Sequence, residues 1–375
     1  MIILVTGARA PIAADIARVL AGAGHQVFTT DSLHCPAGRF VRGIAGYVRL
    51  PAPQPNFESF SQAILRCCAE RGIELVIPTS EEVFWLAQVS GWPAHCRLLA
   101  PSIDTLERLH DKGSFAQQAN MLECGAGPSY LLSNPGDAEQ FLASHNSAEY
   151  VFKPVFSRFA TQVLVSPPAQ AVRNQRFDVK NPWLAQPRMH GEEVCLYNIA
   201  HKGELTLHLA YRPRWRAGQG ASVYFEPVVD ESLRELSVRI ARATMFTGQL
   251  SFDVIQTTSG PVAIECNPRG TSGVHLAAQY PQEFARALLG DKVSLPALAP
   301  RMLAVPLLIY HPQLFTNAVG RQGWVAARDA MREAGVPLLA QLAATAEVLS
   351  RAAVMGTNPL AAATHDIEWN GTRKR

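Results

Sequence analysis

Residues 2–6 (Ile-Ile-Leu-Val-Thr) form an unbroken apolar run rich in β-branched side chains, which predicts a strand buried on both faces. Gly7 follows, and then an alanine-rich helical pattern from Pro11 to Leu20, stopped by Gly22 and Gly24. A second strand is expected over Val27–Thr30, ending at Asp31. Phe57–Glu70 repeats Phe, Ile, Leu and Cys at helical spacing. Glu74–Pro78 reads as another buried strand and Glu81–Gln88 as another helix. Strand and helix thus alternate through the first hundred residues, the signature of a parallel sheet with helices on both faces.

The pattern changes after Pro101. Ser102 and Asp104 can cap a short helix, and Asp111–Leu122 reads as a second. From residue 149 the apolar positions alternate in longer runs: Glu149–Pro154, Thr161–Val165, Trp183–Met189, Val194–His201 and Leu205–Arg212. Short polar turns such as His201-Lys202-Gly203-Glu204 join some of them, which predicts antiparallel pairing. Leu233–Phe246 reads as a helix. Gly248–Gln256 and Pro261–Asn267 read as a strand pair across Thr257-Thr258-Ser259-Gly260. Beyond residue 295 lies a Pro- and Ala-rich tail with helical patterns at Val325–Glu333 and Leu339–Arg351.

Composition narrows the classes. Charged residues are 17% of the 375, against about 25% in an ordinary globular chain, and 48% are hydrophobic, so the chain should collapse into cores rather than stay disordered. At roughly 100–200 residues per domain the length predicts two or three domains. A net charge of +3 offers no basic field for nucleic acid and no polybasic membrane patch. No apolar run approaches the ~18 residues of a membrane helix, and the N-terminus lacks the basic start of a signal peptide. The seven scattered cysteines include no Cys-x-x-Cys, so neither a disulfide framework nor a zinc site is expected, and a cytoplasmic setting is the simplest expectation.

The opening strand, Thr6-Gly7-Ala8-Arg9-Ala10-Pro11 and helix look like the start of a nucleotide-binding α/β unit. The dinucleotide fingerprint needs three glycines, and only Gly7 is present, which favours a plain tight turn. Asp31 stands where an acid could hold a ribose or could cap a loop; the loop is the simpler reading. The denser chemistry lies later. Asp253 falls in one arm of the 248–267 strand pair and Glu265 twelve residues on in the other, so a hairpin would set them side by side. Alternation would add Asn267 and Arg269 to the face of Glu265. Two carboxylates and an amide oxygen are hard ligands suited to Mg²⁺, and an adjacent arginine suits a phosphoryl group. Glu265 also sits within an apolar run, where an unpaired carboxylate is costly.

Ile264-Glu265-Cys266-Asn267-Pro268-Arg269, preceded by Asp253, resembles the metal-binding end of the ATP-grasp superfamily, in its carbamoyl-phosphate-synthetase-like and carboxylate–amine ligase branch. Three further segments fit in order: Asp111-Lys112 at a helix start, Tyr150-Val151-Phe152-Lys153-Pro154 as a lysine-bearing strand, and Ala185–Glu193 as the hinge between grasping subdomains. The resemblance covers residues 1 to about 290. It implies an α/β and α+β chain: a Rossmann-like parallel-sheet domain over 1–108, a two-part ATP-grasp domain with antiparallel sheets over 109–295, and a mostly helical extension over 296–375. Within the second, a small lid would span about 115–187 and a metal-binding part about 188–295.

The resemblance implies roles residue by residue. Lys112 and Lys153 would contact α- and β-phosphates. Gln186 and the main chain of Pro187, Arg188 and Met189 would face adenine, and Glu193 the ribose, with Glu192 as the alternative. Asp253, Glu265 and Asn267 would hold one or two Mg²⁺ (Mn²⁺ could replace it). Arg269 would stabilise the transferring phosphoryl group as the catalytic arginine. The loop Phe156-Ser157-Arg158-Phe159-Ala160-Thr161 lacks the family's glycines, so Ser157, Arg158 and Thr161 would supply phosphate contacts. On the substrate side, Arg212 and Arg214 share a face with Arg216 if their strand continues, Glu81 and Glu82 lie at a strand's carboxyl end, and His275 follows the metal hairpin. The implied activity is a ligase that uses ATP and Mg²⁺ to activate a carboxylate as an acyl phosphate and joins it to an amine. Its partners would be small molecules, with no nucleic acid or membrane, and a homodimer is compatible. An NAD(P)-dependent oxidoreductase or epimerase built on the N-terminal unit and a non-catalytic ATP-binding regulator are the competing readings.

Overall fold

The structure is a computed structural model that describes residues 1–158, 162–218 and 220–373. Its first five strands, β1 (Ile2–Val5), β2 (Gln26–Asp31), β3 (Gly46–Arg49), β4 (Leu75–Ile77) and β5 (Arg97–Leu98), form a parallel sheet in the order β3-β2-β1-β4-β5. The unbroken apolar run at residues 2–6 is explained by its central place. Ile3 and Val5 pack with the helix Pro11–Gly22, while Leu4 faces the helix Phe57–Arg71 on the other side. The strand order reverses between β1 and β4, which opens a crevice at the carboxyl ends of these two strands.

The strands after residue 130 build two more sheets. β6 (Tyr130–Leu132), β7 (Tyr150–Pro154), β8 (Leu164–Val165) and β9 (Trp183–Pro187) form a small antiparallel sheet ordered β6-β9-β7-β8. The larger sheet contains β10 (Glu192–His201), β11 (Glu204–Ala217), β12 (Ala221–Val228), β13 (Gly248–Thr257), β14 (Gly260–Asn267), β15 (Arg301–Met302) and β16 (Arg328–Asp329), in the order β14-β13-β10-β11-β12-β15-β16. Strand alternation sorts its two faces. Val194, Leu196, Leu250 and Phe252 pack on the helix Glu231–Ala243, and Tyr197 and Leu209 pack toward Val274 and Phe284. The expected parallel and antiparallel halves are both present.

Three expectations need correction. The strand expected to end at Arg212 continues through Ala217, and a further strand, Ala221–Val228, pairs back on it as β12. Val325–Glu333 is not one helix. A helix ends at Ala326, Arg328–Asp329 pairs in parallel with Arg301–Met302, and Asp329 caps a single turn at Ala330–Glu333 by accepting from the Met331 amide. The same carboxylate accepts from the Ala304 amide, so it is committed to a junction rather than to a helix interior. Finally, the helix Leu338–Met355 is long and apolar enough by composition to cross a membrane, although no unbroken apolar run suggested it. Its Glu347 accepts from the amides of His34 and Cys35, and its Arg351 pairs with Asp366, so its polar side is bound to this chain's own surface.

Candidate active site

The centre of the site is the β13–β14 hairpin. Its register sets Asp253 directly opposite Glu265 and Ser251 opposite Asn267, so the two carboxylates and the amide share one face. A register shift follows at Asp253/Val254, where the pairing passes from Glu265 to Ala263 and leaves Ile264 unopposed. The Ile264 carbonyl accepts from Lys153 Nζ at 3.0 Å. Lys153 reaches it from β7 of the small sheet, so this hydrogen bond joins the small sheet to the hairpin. Lys112 approaches from a third element. It is the first residue of the helix Lys112–Met121, whose start is fixed by Asp111 accepting from the Ser114 amide at 2.7 Å. Its ammonium lies 3.4 Å from Glu265 Oε1 and donates to the carbonyls of Ser157 (3.1 Å) and Val155 (3.4 Å).

The charges perturb one another strongly. Burial pushes the Asp253 carboxyl up to about 6, helped by the negative charges of Glu265 and Glu193. Burial acts on Glu265 in the same direction, but Lys112 and Lys153 outweigh it and hold that carboxyl low. Lys153 is brought down to about 8, chiefly by burial and despite Glu265. Two half-buried carboxylates side by side, one held part-way to protonation, are a pair that a divalent cation would relieve. Among the described residues no group of three or more His, Cys, Asp or Glu side chains is arranged to hold a metal. The donor set is instead two carboxylates with the Asn267 amide, hard oxygens that fit Mg²⁺. Asn267 Oδ1 now accepts from Arg269 Nη2 at 3.1 Å, and Asn267 Nδ2 donates weakly to Asp253 at 3.4 Å.

A second charged cluster adjoins the first. Glu81 is buried at the carboxyl end of β4, accepts from Arg158 Nε at 2.7 Å and from the Trp369 amide at 3.1 Å, and lies 3.9 Å from Arg269. Burial alone would raise its carboxyl, but Arg158 and its neighbours bring it down to about 2. It therefore neutralises two arginines and is closed to a solvent-borne substrate. His110 is buried beside it, its ring tilted against Phe84 (4.7 Å) and Phe156 (5.8 Å), and burial drives its imidazole down to about 3, so it is neutral. Neither the link from Glu81 to Arg158 nor the position of His110 carries a local sequence signal, since both depend on packing between distant segments.

The hinge is built from β9 and the turn after it. Gln186 is buried opposite Val151, the Arg188 amide donates to the Glu149 carbonyl, and Met189 leads to Gly191. At Gly191 an added Cβ would stand 2.2 Å from the Gln256 carbonyl oxygen, so the chain passes here at a distance only glycine allows. Register separates the two hinge acids by face. Cys195 opposes Asp253, so Glu193 shares the face of Asp253 and Glu192 points away. Glu193 pairs with Arg216 and Glu192 with Arg212. Ser157 turns its hydroxyl to the Pro154 carbonyl and its own carbonyl to Lys112. Thr161, expected as a phosphate contact, lies outside the described residues.

The expected substrate residues are redistributed. Irregularities at Pro213/Trp215 and Trp215/Arg216 break the alternation of Arg212, Arg214 and Arg216 along the strand. Arg214 stacks over Trp215 at 4.7 Å, Arg212 goes to Glu192, and Arg216 alone reaches the hinge acid Glu193. His275 is buried, with Nδ1 at 2.7 Å from Asp15, and stacks on Phe225, so it joins two elements of the core and does not face the hairpin acids. Arg9 was not singled out by its motif. It is buried between Asp31 and Asp366 at the β1 crevice, which answers the question left at Asp31: the acid holds an arginine of its own chain.

No protein-family model matches the chain, and no curated protein matches it in sequence. Solved structures do match in three dimensions. Phosphoribosylamine–glycine ligase from Thermotoga maritima superposes with a TM-score of 0.62 at 14% identity, over 80% of this chain and 79% of that one. N5-carboxyaminoimidazole ribonucleotide synthetase from Thermus thermophilus gives 0.62 at 16%, over 80% and 82%. The biotin carboxylase domain of 2-oxoglutarate carboxylase from Hydrogenobacter thermophilus, solved with MgADP and bicarbonate, gives 0.60 at 14%, over 80% and 73%. With its parallel leader sheet and its facing antiparallel sheets, the chain has the ATP-grasp fold that these ligases share.

Proposed function

We propose that this protein is an ATP-dependent ligase that activates a small carboxylate as an acyl phosphate and transfers the acyl group to an amine. The observation that carries the reading is the cross-strand pair Asp253–Glu265 with Asn267 on its face and the ammonium groups of Lys112 and Lys153 beside it. Positive and negative groups converge there from three separate elements, at a cost in burial that a purely structural hairpin has no reason to bear. Solved proteins of the same fold include one with MgADP, which is the ligand class this donor set suits.

In this reading Lys112 and Lys153 neutralise the α- and β-phosphates, and Arg269 the transferring phosphoryl group. Gln186 and the Pro187–Met189 main chain hold the base, Glu193 holds the ribose, and Ser157 and Arg158 close on the phosphates. Asp253, Glu265 and Asn267 would hold Mg²⁺, which when bound supplies charge neutralisation between phosphate oxygens. The substrate carboxylate attacks the γ-phosphorus and ADP leaves. The amine nitrogen then attacks the acyl carbon, the C–O bond to phosphate breaks, and the amine loses a proton. The protein contributes position and electrostatics rather than covalent chemistry. The test is an ADP-release screen across carboxylate and amine pairs, with Glu265→Gln and Arg269→Ala as controls. The expected result is pair-dependent ADP release in the parent and its loss in both folded variants; unchanged turnover in them would remove the site assignment.

The N-terminal unit gives the oxidoreductase reading little room. The crevice lined by Thr6, Gly7, Arg9 and Asp31 is occupied by Arg9, whose guanidinium pairs with Asp31 and Asp366.

A further inference from the structure

The segment 364–373 leaves the last helix and runs back to the carboxyl edge of the first sheet, and it is anchored there at two places. At the first, Asp366 accepts from Arg9 Nη1 at 2.5 Å and from Ser32 Oγ at 2.7 Å, and pairs with Arg351 at 3.2 Å. Arg9 also holds Asp31 and the Ala363 carbonyl, so one buried guanidinium ties the tail to the β1 crevice. At the second, Trp369 is 1% exposed and lies stacked on Phe84 and edge-on to Trp85, whose indole nitrogen donates to the Ile367 carbonyl.

Around the second anchor the tail holds one side chain of the glycine-poor loop. Arg158 Nη2 donates to the Trp369 carbonyl at 2.6 Å, Arg158 Nη1 donates to Asn370 Oδ1 at 3.0 Å, and Glu368 lies 3.8 Å away. Glu81 completes the cradle, since it accepts from both Arg158 and the Trp369 amide. Arg158 follows Ser157, whose carbonyl accepts from Lys112, and Lys112 reaches Glu265. The tail is thus two hydrogen-bonded steps from the first phosphate lysine, although it lies more than two hundred residues away in sequence.

We infer that the C-terminal segment 364–373 is a working part of the site: through Trp369, Asn370 and Glu81 it positions Arg158, and with it the loop 155–158, for the nucleotide phosphates. A loop with glycines wraps phosphates with bare amides. This loop has none, and the structure replaces that freedom with an arginine held from outside. Asn370 and Asp366 are positioning residues here, and they touch no nucleotide. The inference rests on the ATP reading for its effect on phosphates, but not for the coupling of tail to loop.

The experiment separates the two. Hydrogen exchange is measured on the full chain, without nucleotide, for the parent, Asn370→Ala and Asp366→Asn, at the amides of Val155 and Phe156, which donate to the Pro182 carbonyl and to Asn181 Oδ1. ATP affinity with Mg²⁺ is measured on the same proteins and on Arg158→Ala. Faster exchange at 155–156 in both tail variants is expected, with ATP binding about tenfold weaker in Asn370→Ala, the size of one charge-assisted hydrogen bond. The loss should be absent when Asn370→Ala is added to Arg158→Ala, because the lost partner is the same. Unchanged exchange in both tail variants, or a full additional loss of affinity in the double variant, would overturn the inference. Faster exchange in the tail variants of a parent that never binds ATP supports the coupling and removes the nucleotide reading instead.

Discussion

Lys153 shows at the scale of one residue what the site costs the fold. Its side chain is buried, its ammonium donates to the Ile264 carbonyl, and burial lowers it from an ordinary 10.5 to about 8. A lysine whose folded pKa lies below its unfolded value binds fewer protons in the native state between the two. Stability therefore rises with pH through about 8 to 10.5, and below 8 the whole penalty is present. At pH 7 that difference amounts to roughly 3 kcal/mol against the fold. Lys153→Met should accordingly raise the melting temperature of the nucleotide-free protein at pH 7, with the gain shrinking as pH approaches 10.5, while ATP binding is lost. Melting curves at pH 7 and 10 with and without MgATP check it; a variant less stable than the parent at pH 7 would count against the burial argument.

At the scale of elements, the β13–β14 hairpin and the hinge act through close backbone geometry. The hairpin was legible because its chemistry follows a period of two: Asp253, Glu265 and Asn267 fall on one face as soon as the turn at 257–260 is placed. Its irregularity was not. Nothing in Ile264 announces that the register slips there and hands its carbonyl to Lys153, since a bulge is settled by both partners together. Arg216 was hidden in the same way, by irregularities that moved it to Glu193 and took Arg212 and Arg214 elsewhere. Gly191 gives the element-scale prediction. A methyl group there would meet the Gln256 carbonyl at 2.2 Å, and backbone cannot swing aside as a side chain does. Gly191→Ala should cost about 1–3 kcal/mol, the usual range for overpacking. It should also weaken ATP binding, because Glu193 lies two residues on; denaturant midpoints and nucleotide titration read the two effects. An alanine variant with parent stability and affinity would show that the hinge yields freely.

Across the whole molecule, the two readings of the N-terminal unit part company. The alternation of strand and helix over the first hundred residues was legible because the central strands β1 and β4 are buried on both faces, as Ile3, Leu4 and Val5 show. What the carboxyl edge of that sheet holds was not legible, because the answer comes from the far end of the chain. Asp366 meets Arg9, and Trp369 packs on Phe84 and Trp85. A dinucleotide laid across this edge would have to displace Arg9 from two carboxylates. ATP, in contrast, is proposed to lie between the two antiparallel sheets, where the lysines already face paired carboxylates. The two nucleotides should therefore separate cleanly in a thermal-shift measurement on the full chain. MgATP at a hundredfold excess over its dissociation constant stabilises a native state by about 2.7 kcal/mol. It should raise the melting temperature by a few degrees, NADPH should leave it unchanged, and Glu265→Gln should abolish the MgATP shift. A shift with NADPH that survives in Glu265→Gln would return the nucleotide to the first sheet.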